Sequence, residues 1–117
     1  MNSLEDLLED DYKKTNHDTI TKSVVDRLIT SQLYDIIKHS CRYTNHYRME
    51  DGEVDIIARA GKRYFNFEVK SSSRHLNKAY SQLERDERLI KDCITRDCKV
   101  YNFVVYGHRG RIIYKRV

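Results

Sequence analysis

Proline and tryptophan are absent from this 117-residue sequence, glycine occurs four times and cysteine three times. With no proline and so little glycine, no flexible or polyproline linker divides the chain, and its length suits one domain. Cys41, Cys93 and Cys98 are odd in number and irregular in spacing, which argues against a disulfide framework. The gap between Cys93 and Cys98 lacks the matching second pair of a structural zinc site, so reduced thiols are expected. No stretch approaches the ~20 apolar residues of a membrane helix. Nor does the amino terminus carry the basic and apolar regions of a secretory signal. An intracellular, soluble protein with no membrane partner is the expectation.

Residues 1–11 also lack lysine and arginine, while Glu5, Asp6, Glu9, Asp10 and Asp11 are acidic. The other 106 residues therefore hold 22 basic and 13 acidic side chains, a net of +9 against +4 for the whole chain. A body this basic suits a polyanionic partner, since each neutralised phosphate releases condensed counterions. Charge alone serves solubility equally well, so a site has to decide.

Residues 1–16 are polar and read as a flexible acidic arm, with one possible helical turn around Leu4, Leu7 and Leu8. From Asp18, Ile20, Val24, Val25, Leu28, Ile29, Leu33, Ile36 and Ile37 recur at spacings of three and four, predicting one helix capped by Asp18 or Thr19. Residues 41–49 alternate loosely as a short strand. Val54–Arg59 and Arg63–Lys70 read as two strands with Gly61 in the turn between them. The run Ser71–Ser73 offers N-caps for a second helix bearing Leu76, Ala79, Tyr80, Leu83, Ile90 and Ile94. Lys99–Tyr106 and Arg111–Lys115 complete the chain as strands. The expected class is α/β, a mixed sheet of about five strands flanked by two main helices.

Chemistry concentrates on the central hairpin. At period two, Phe65, Phe67 and Val69 face one way, and Tyr64, Asn66, Glu68 and Lys70 the other. A two-residue Gly61-Lys62 loop, suited to a type II′ turn, sets Asp55 directly opposite Glu68. Paired residues lie ~4.5–5.5 Å apart at Cα, and two carboxylates there destabilise a sheet unless a cation intervenes. Mg²⁺ or Mn²⁺ answers that need, being hard and oxygen-seeking. Such an ion lowers the pKa of a bound water and polarises a phosphoryl oxygen, while Lys70 alongside orients the nucleophile or stabilises growing charge. The bland alternative is a solvated strand face, with Lys70 and Arg63 relieving an exposed acid pair. A three-residue loop would turn Asp55 to the other face.

The segments Gly52-Glu53-Val54-Asp55-Ile56-Ile57-Ala58 and Phe67-Glu68-Val69-Lys70-Ser71-Ser72 resemble the PD-(D/E)XK nuclease superfamily, in particular small archaeal-type Holliday junction resolvases and related single-domain resolvase-like proteins. Val54 stands where the motif name has proline. The resemblance implies a restriction-endonuclease-like core over residues 17–117 and a metal-dependent DNA endonuclease, possible substrates including branched or Holliday-junction DNA. It implies Asp55, Glu68 and the Val69 carbonyl as metal ligands and Lys70 as the catalytic lysine. The family often adds an acid from the first helix. No glutamate lies between Thr15 and Tyr47, so Asp26 is the candidate and Asp35 the second. Gln82, with Lys78 four residues before it, is a candidate polar residue near the site, against plain helix surface.

DNA contacts are expected from Ser72, Arg74 and Lys78, and from Arg109 and Arg111 in a tail (residues 107–117) that contains no acid. Ser72 could equally be a helix cap, and Ile112-Ile113-Tyr114 also reads as an ordinary strand. The nine tyrosines are assigned mostly to the core and a dimer interface. Symmetric cutting of branched DNA needs two sites, hence a homodimer. The location implied is the cytoplasm of a prokaryote or the host cell of a virus. The rival reading is a nucleic-acid-binding module of the same fold with weak or lost catalysis.

Overall fold

The computed structural model describes residues 9–10, 16–74 and 76–117. The helical turn expected around Leu4, Leu7 and Leu8 lies outside them. Strand β1 (Glu9–Asp10) is followed by helix α1 (Asn16–Ser31), β2 (Ile36–Asn45), β3 (Glu50–Ala60) and β4 (Arg63–Lys70). Helix α2 (Leu76–Leu89) runs on into a π turn (Ile90–Ile94), and β5 (Lys99–His108) and β6 (Arg111–Arg116) follow. The strands form one mixed sheet in the order β1-β2-β3-β4-β5-β6. Among the described strands only β4 and β5 pair in parallel, and α2 is the crossover that such a pairing requires. The α/β class, with two helices on a mixed sheet, is therefore the observed architecture.

The first helix is shorter than its apolar spacing predicts. Gln32 adopts a left-handed φ of 56° and ends α1, so Ile36 and Ile37 open β2 instead of extending the helix. A short apolar run satisfies either periodicity, and here pairing decides. The Asp35 N–H donates to the Arg59 carbonyl at 2.9 Å, and the Asp35 carboxylate accepts from Arg59 Nε at 2.8 Å and from the Gly61 N–H at 3.2 Å. Those bonds fasten β2 to the hairpin and place Ile36 and Ile37 in different cores. The strand expected over residues 41–49 is accordingly longer and earlier, and residues 46–49 form the turn into β3.

The β3–β4 hairpin keeps the expected loop and register, while its ladder ends one step short of the expected Asp55–Glu68 pair. Gly61 carries a φ of 63° in a two-residue loop, and pairing runs from Ala60 opposite Arg63 to Ile56 opposite Phe67. Phe67, Val69 and partly buried Phe65 pack with Val24, Val25 and Leu28 of α1, as the alternation requires. Phe67 stacks on Phe103 across the parallel pair, with ring centroids 5.1 Å apart. On the opposite face, Leu89, Ile90, Cys93 and Ile94 cover Cys41, Tyr43, Val54, Ile57 and Tyr64. No helix among the described residues is long and apolar enough to cross a membrane.

Candidate active site

Alternation along β3 breaks at Asp55. Val54 and Ile57 enter the core beneath α2, whereas Ile56 and Ala58 enter the core beneath α1. Opposite this break, Ser40 of β2 has a φ of 55°, and the β2–β3 ladder skips the Ser40–Asp55 step without gaining a residue. On its other side, regular pairing to β4 stops at Ile56–Phe67. Asp55 thus sits at a one-step gap in the β2–β3 ladder and just past the end of the β3–β4 ladder, where its side chain carries the connection to β4. Asp55 Oδ2 accepts from the Val69 N–H at 2.7 Å, a charge-assisted bond inside the protein.

Asp55 and Glu68 are each 6% exposed, so the expected pair of acids lies in the interior and not on a solvated strand face. Lys70 Nζ is 3.5 Å from Glu68 Oε1. Glu68 Oε2 is buried without a hydrogen-bond partner. Burial, then the charges of Asp55 and Asp86, push the Glu68 carboxyl up to about 10, and Lys70 only partly opposes them. Without a cation, burial and the neighbouring acids therefore favour the protonated form of Glu68.

Two residues at the site escaped the sequence reading. The first is His17, in the opening turn of α1. Its Nε2 lies 2.9 Å from the Val69 carbonyl oxygen and 3.3 Å from Asp55 Oδ2. A carbonyl only accepts, so Nε2 carries the proton. The hydrogen bond to Asp55 raises the His17 pKa above its usual value, with partial burial opposing. An imidazole at this position carries none of the acid signature that marks a helix ligand.

The second is Asp86 of α2, 2% exposed. Its Oδ1 accepts from Tyr43 Oη at 2.8 Å and from Gln82 Nε2 at 2.8 Å. Burial drives the Asp86 carboxyl up to about 8 even though both bonds favour the anion. The same burial, with the Asp86 charge, raises the Tyr43 phenol. A signal for Asp86 was present, because Ala79, Leu83, Asp86 and Ile90 follow one helical stripe and a carboxylate interrupts it. Gly52, within the resemblance segment, makes room for this network. A Cβ there would lie 2.3 Å from Tyr43 Oη.

The remaining candidates divide clearly. Gln82 joins the network behind the acids, donating also to the Glu53 carbonyl at 2.8 Å. Asp26 is exposed and lines a separate cavity with Lys22, Ile29 and His39. About 13 Å of helix separate Asp26 from His17, and α1 reaches the carboxylates through its first turn. Asp35 is held by Arg59 and Gly61, so neither helix-acid candidate joins the pair. Ser72 Oγ accepts from the Arg74 N–H at 3.4 Å, a local turn leading toward α2. Arg74 and Lys78 are exposed beside it, while Arg109 lies in the β5–β6 turn and Arg111 opens β6.

Among the described residues, no three histidine, cysteine, aspartate or glutamate side chains converge as a metal cage. The oxygens of Asp55, Glu68 and the Val69 carbonyl are nevertheless a hard donor set, and Glu68 Oε2 is a buried acceptor with nothing to accept. Mg²⁺ usually keeps several waters and takes only one or two carboxylates, so this set fits it. The chain matches no protein-family model and no curated protein by sequence.

Proposed function

We propose that this protein is a Mg²⁺- or Mn²⁺-dependent DNA endonuclease of the PD-(D/E)XK kind, acting as a homodimer on branched DNA. The observation that carries the reading is the fork between β3 and β4. There Asp55 and Glu68 lie buried together, the second with an oxygen lacking any partner, and Lys70 stands beside them. Two interior carboxylates and a lysine make poor structural filler, because removing charges from water costs several kcal/mol per ion. Function explains their presence better than stability does.

Asp55, Glu68 and the Val69 carbonyl would hold the ion. When bound, the cation lowers the pKa of a water and polarises a phosphoryl oxygen. Lys70 would orient the attacking water or neutralise charge growing on the phosphate oxygens. The Val69 N–H fixes the Asp55 carboxylate, so the acid is aimed before any ligand arrives. His17 Nε2–H keeps the Asp55 and Val69 oxygens around one point, and Asp86, Gln82 and Tyr43 brace the wall behind Glu68.

A second reading is favoured by the raised Glu68 pKa and by the lack, among the described residues, of a third His, Cys, Asp or Glu side chain converging on the pair. In it, the same fold binds nucleic acid with little or no cutting. Incubation with branched, duplex and single-stranded DNA in Mg²⁺ or Mn²⁺ separates the two. Endonuclease action predicts nicking that Asp55→Ala and Lys70→Ala abolish. Binding without nicking in either metal would establish the second reading.

A further inference from the structure

The β5–β6 hairpin turns on Arg109 and Gly110, with φ of 49° and 74°. Two successive positive φ angles make a type I′ turn, whose first position favours Asn, Asp or Gly. An arginine in the left-handed region strains the backbone, so the turn does not explain its choice. Strain of this kind at an exposed tip points to a role for the side chain.

Beside the tip lies a groove of about 390 Å³ whose polar lining includes Thr19, Ser23, Ser71, His108, Arg109 and Arg111. No carboxylate lines it. Gly107 sets its floor, because a Cβ there would lie 3.3 Å from the Ser71 carbonyl oxygen and 3.5 Å from Ile20 Cδ1. Ser71 directly follows Lys70, and Thr19, Ile20 and Ser23 of α1 set the groove on the α1 side of the sheet, at the same strand end as the lysine. The parallel pairing aligns Lys70 with Tyr106, and Arg109 lies three residues further. That span is about 10 Å of strand, matching the axial rise of about three nucleotides.

We propose that this groove holds backbone phosphates of the nucleic-acid strand whose scissile bond is presented at Lys70. Arg109 and Arg111 supply the cations, and the Thr19, Ser23 and Ser71 hydroxyls supply neutral donors. The inference rests on the nuclease reading of the Asp55–Glu68 site. Cations and hydroxyls without a carboxylate match phosphate oxygens, and contacts of this kind set register without reading sequence.

The test measures affinity for a fluorescein-labelled four-way junction by anisotropy, in EDTA, across roughly 50–200 mM KCl. Arg109→Asn should lower the slope of log K against log salt by about 0.9, and Arg109→Asn with Arg111→Gln by about 1.8. At 0.1 M salt the single variant should bind about eightfold more weakly. Its melting temperature should rise, since asparagine suits the turn better. Lys91→Ala with Arg96→Ala removes as much charge at the other end of the sheet and should leave the slope unchanged. Equal slopes for wild type and the Arg109/Arg111 variant would overturn the groove and leave the nuclease reading standing. An equal fall in the Lys91/Arg96 control would also overturn it, because net charge would then suffice. Failure of the wild type to bind DNA would overturn both.

Discussion

Replacing Glu68 with glutamine should stabilise the metal-free protein while abolishing metal-dependent activity. The magnitude follows from the burial of Glu68 beside Asp55 and Asp86, which pushes its carboxyl up to about 10. The sign follows from linkage. A carboxyl whose folded pKa exceeds its unfolded value binds more protons when folded, so stability falls as pH rises from the unfolded pKa toward the folded one. At pH 8 the side chain is neutral in the fold and ionised in the unfolded chain. Roughly three and a half units at ~1.4 kcal/mol each give an upper limit of about 5 kcal/mol. Relaxation and water entry reduce the penalty to roughly 2–3 kcal/mol. Glutamine carries no such penalty. Thermal unfolding in EDTA at pH 8 should therefore show Glu68→Gln melting on the order of 10 °C above wild type, with the gap closing toward pH 5. Saturating Mn²⁺ should raise the wild-type midpoint and leave the variant unmoved. A variant less stable than wild type at pH 8 without metal would refute the reasoning. It would mean that Glu68 is ionised and well stabilised in the free protein.

His17→Ala should cost about 0.5–1 kcal/mol at acidic pH, discounted because the ring is 35% exposed. Since the folded His17 pKa is raised above 6.5, its contribution is fully present below about 6.5 and fades as pH rises through the folded value. Midpoints at pH 5.5 and 8.5 should show the wild-type advantage shrinking, and a constant or growing one would contradict the Asp55 contact. Gly52→Ala should destabilise by about 1–3 kcal/mol, because its methyl would collide with a Tyr43 ring that is itself buried. Denaturant unfolding measures this. If Tyr43→Phe in the Gly52→Ala background recovers the loss, the hydroxyl is the clashing atom, whereas no recovery would place the clash on the ring.

The hairpin was legible because its determinants are local. Gly61 fixes the loop, alternation fixes the faces, and together they bring Asp55 and Glu68 to one end of the hairpin. The end of α1 was not, because Ile36 and Ile37 satisfy helical spacing as well as strand alternation. What separates the two is the Asp35–Arg59 connection, made between positions distant in sequence. The helix contribution to the site failed for a related reason. Asp26 lies on α1, yet the crossing of α1 over the sheet delivers its first turn, and with it His17. No periodicity within a helix encodes where that helix crosses a sheet. Asp86 was readable in principle, as a charge on an apolar stripe. Its partners Tyr43 and Gln82 come from separate elements, so only the fold reveals that the charge is accommodated.

Anomalous diffraction from a crystal soaked in Mn²⁺ tests the central claim most directly. One strong peak is expected at the β3–β4 fork, within coordination distance of Asp55, Glu68 and the Val69 carbonyl, and it should disappear in Glu68→Gln crystals. An empty fork at saturating Mn²⁺, or a peak that survives the glutamine, would contradict the claim.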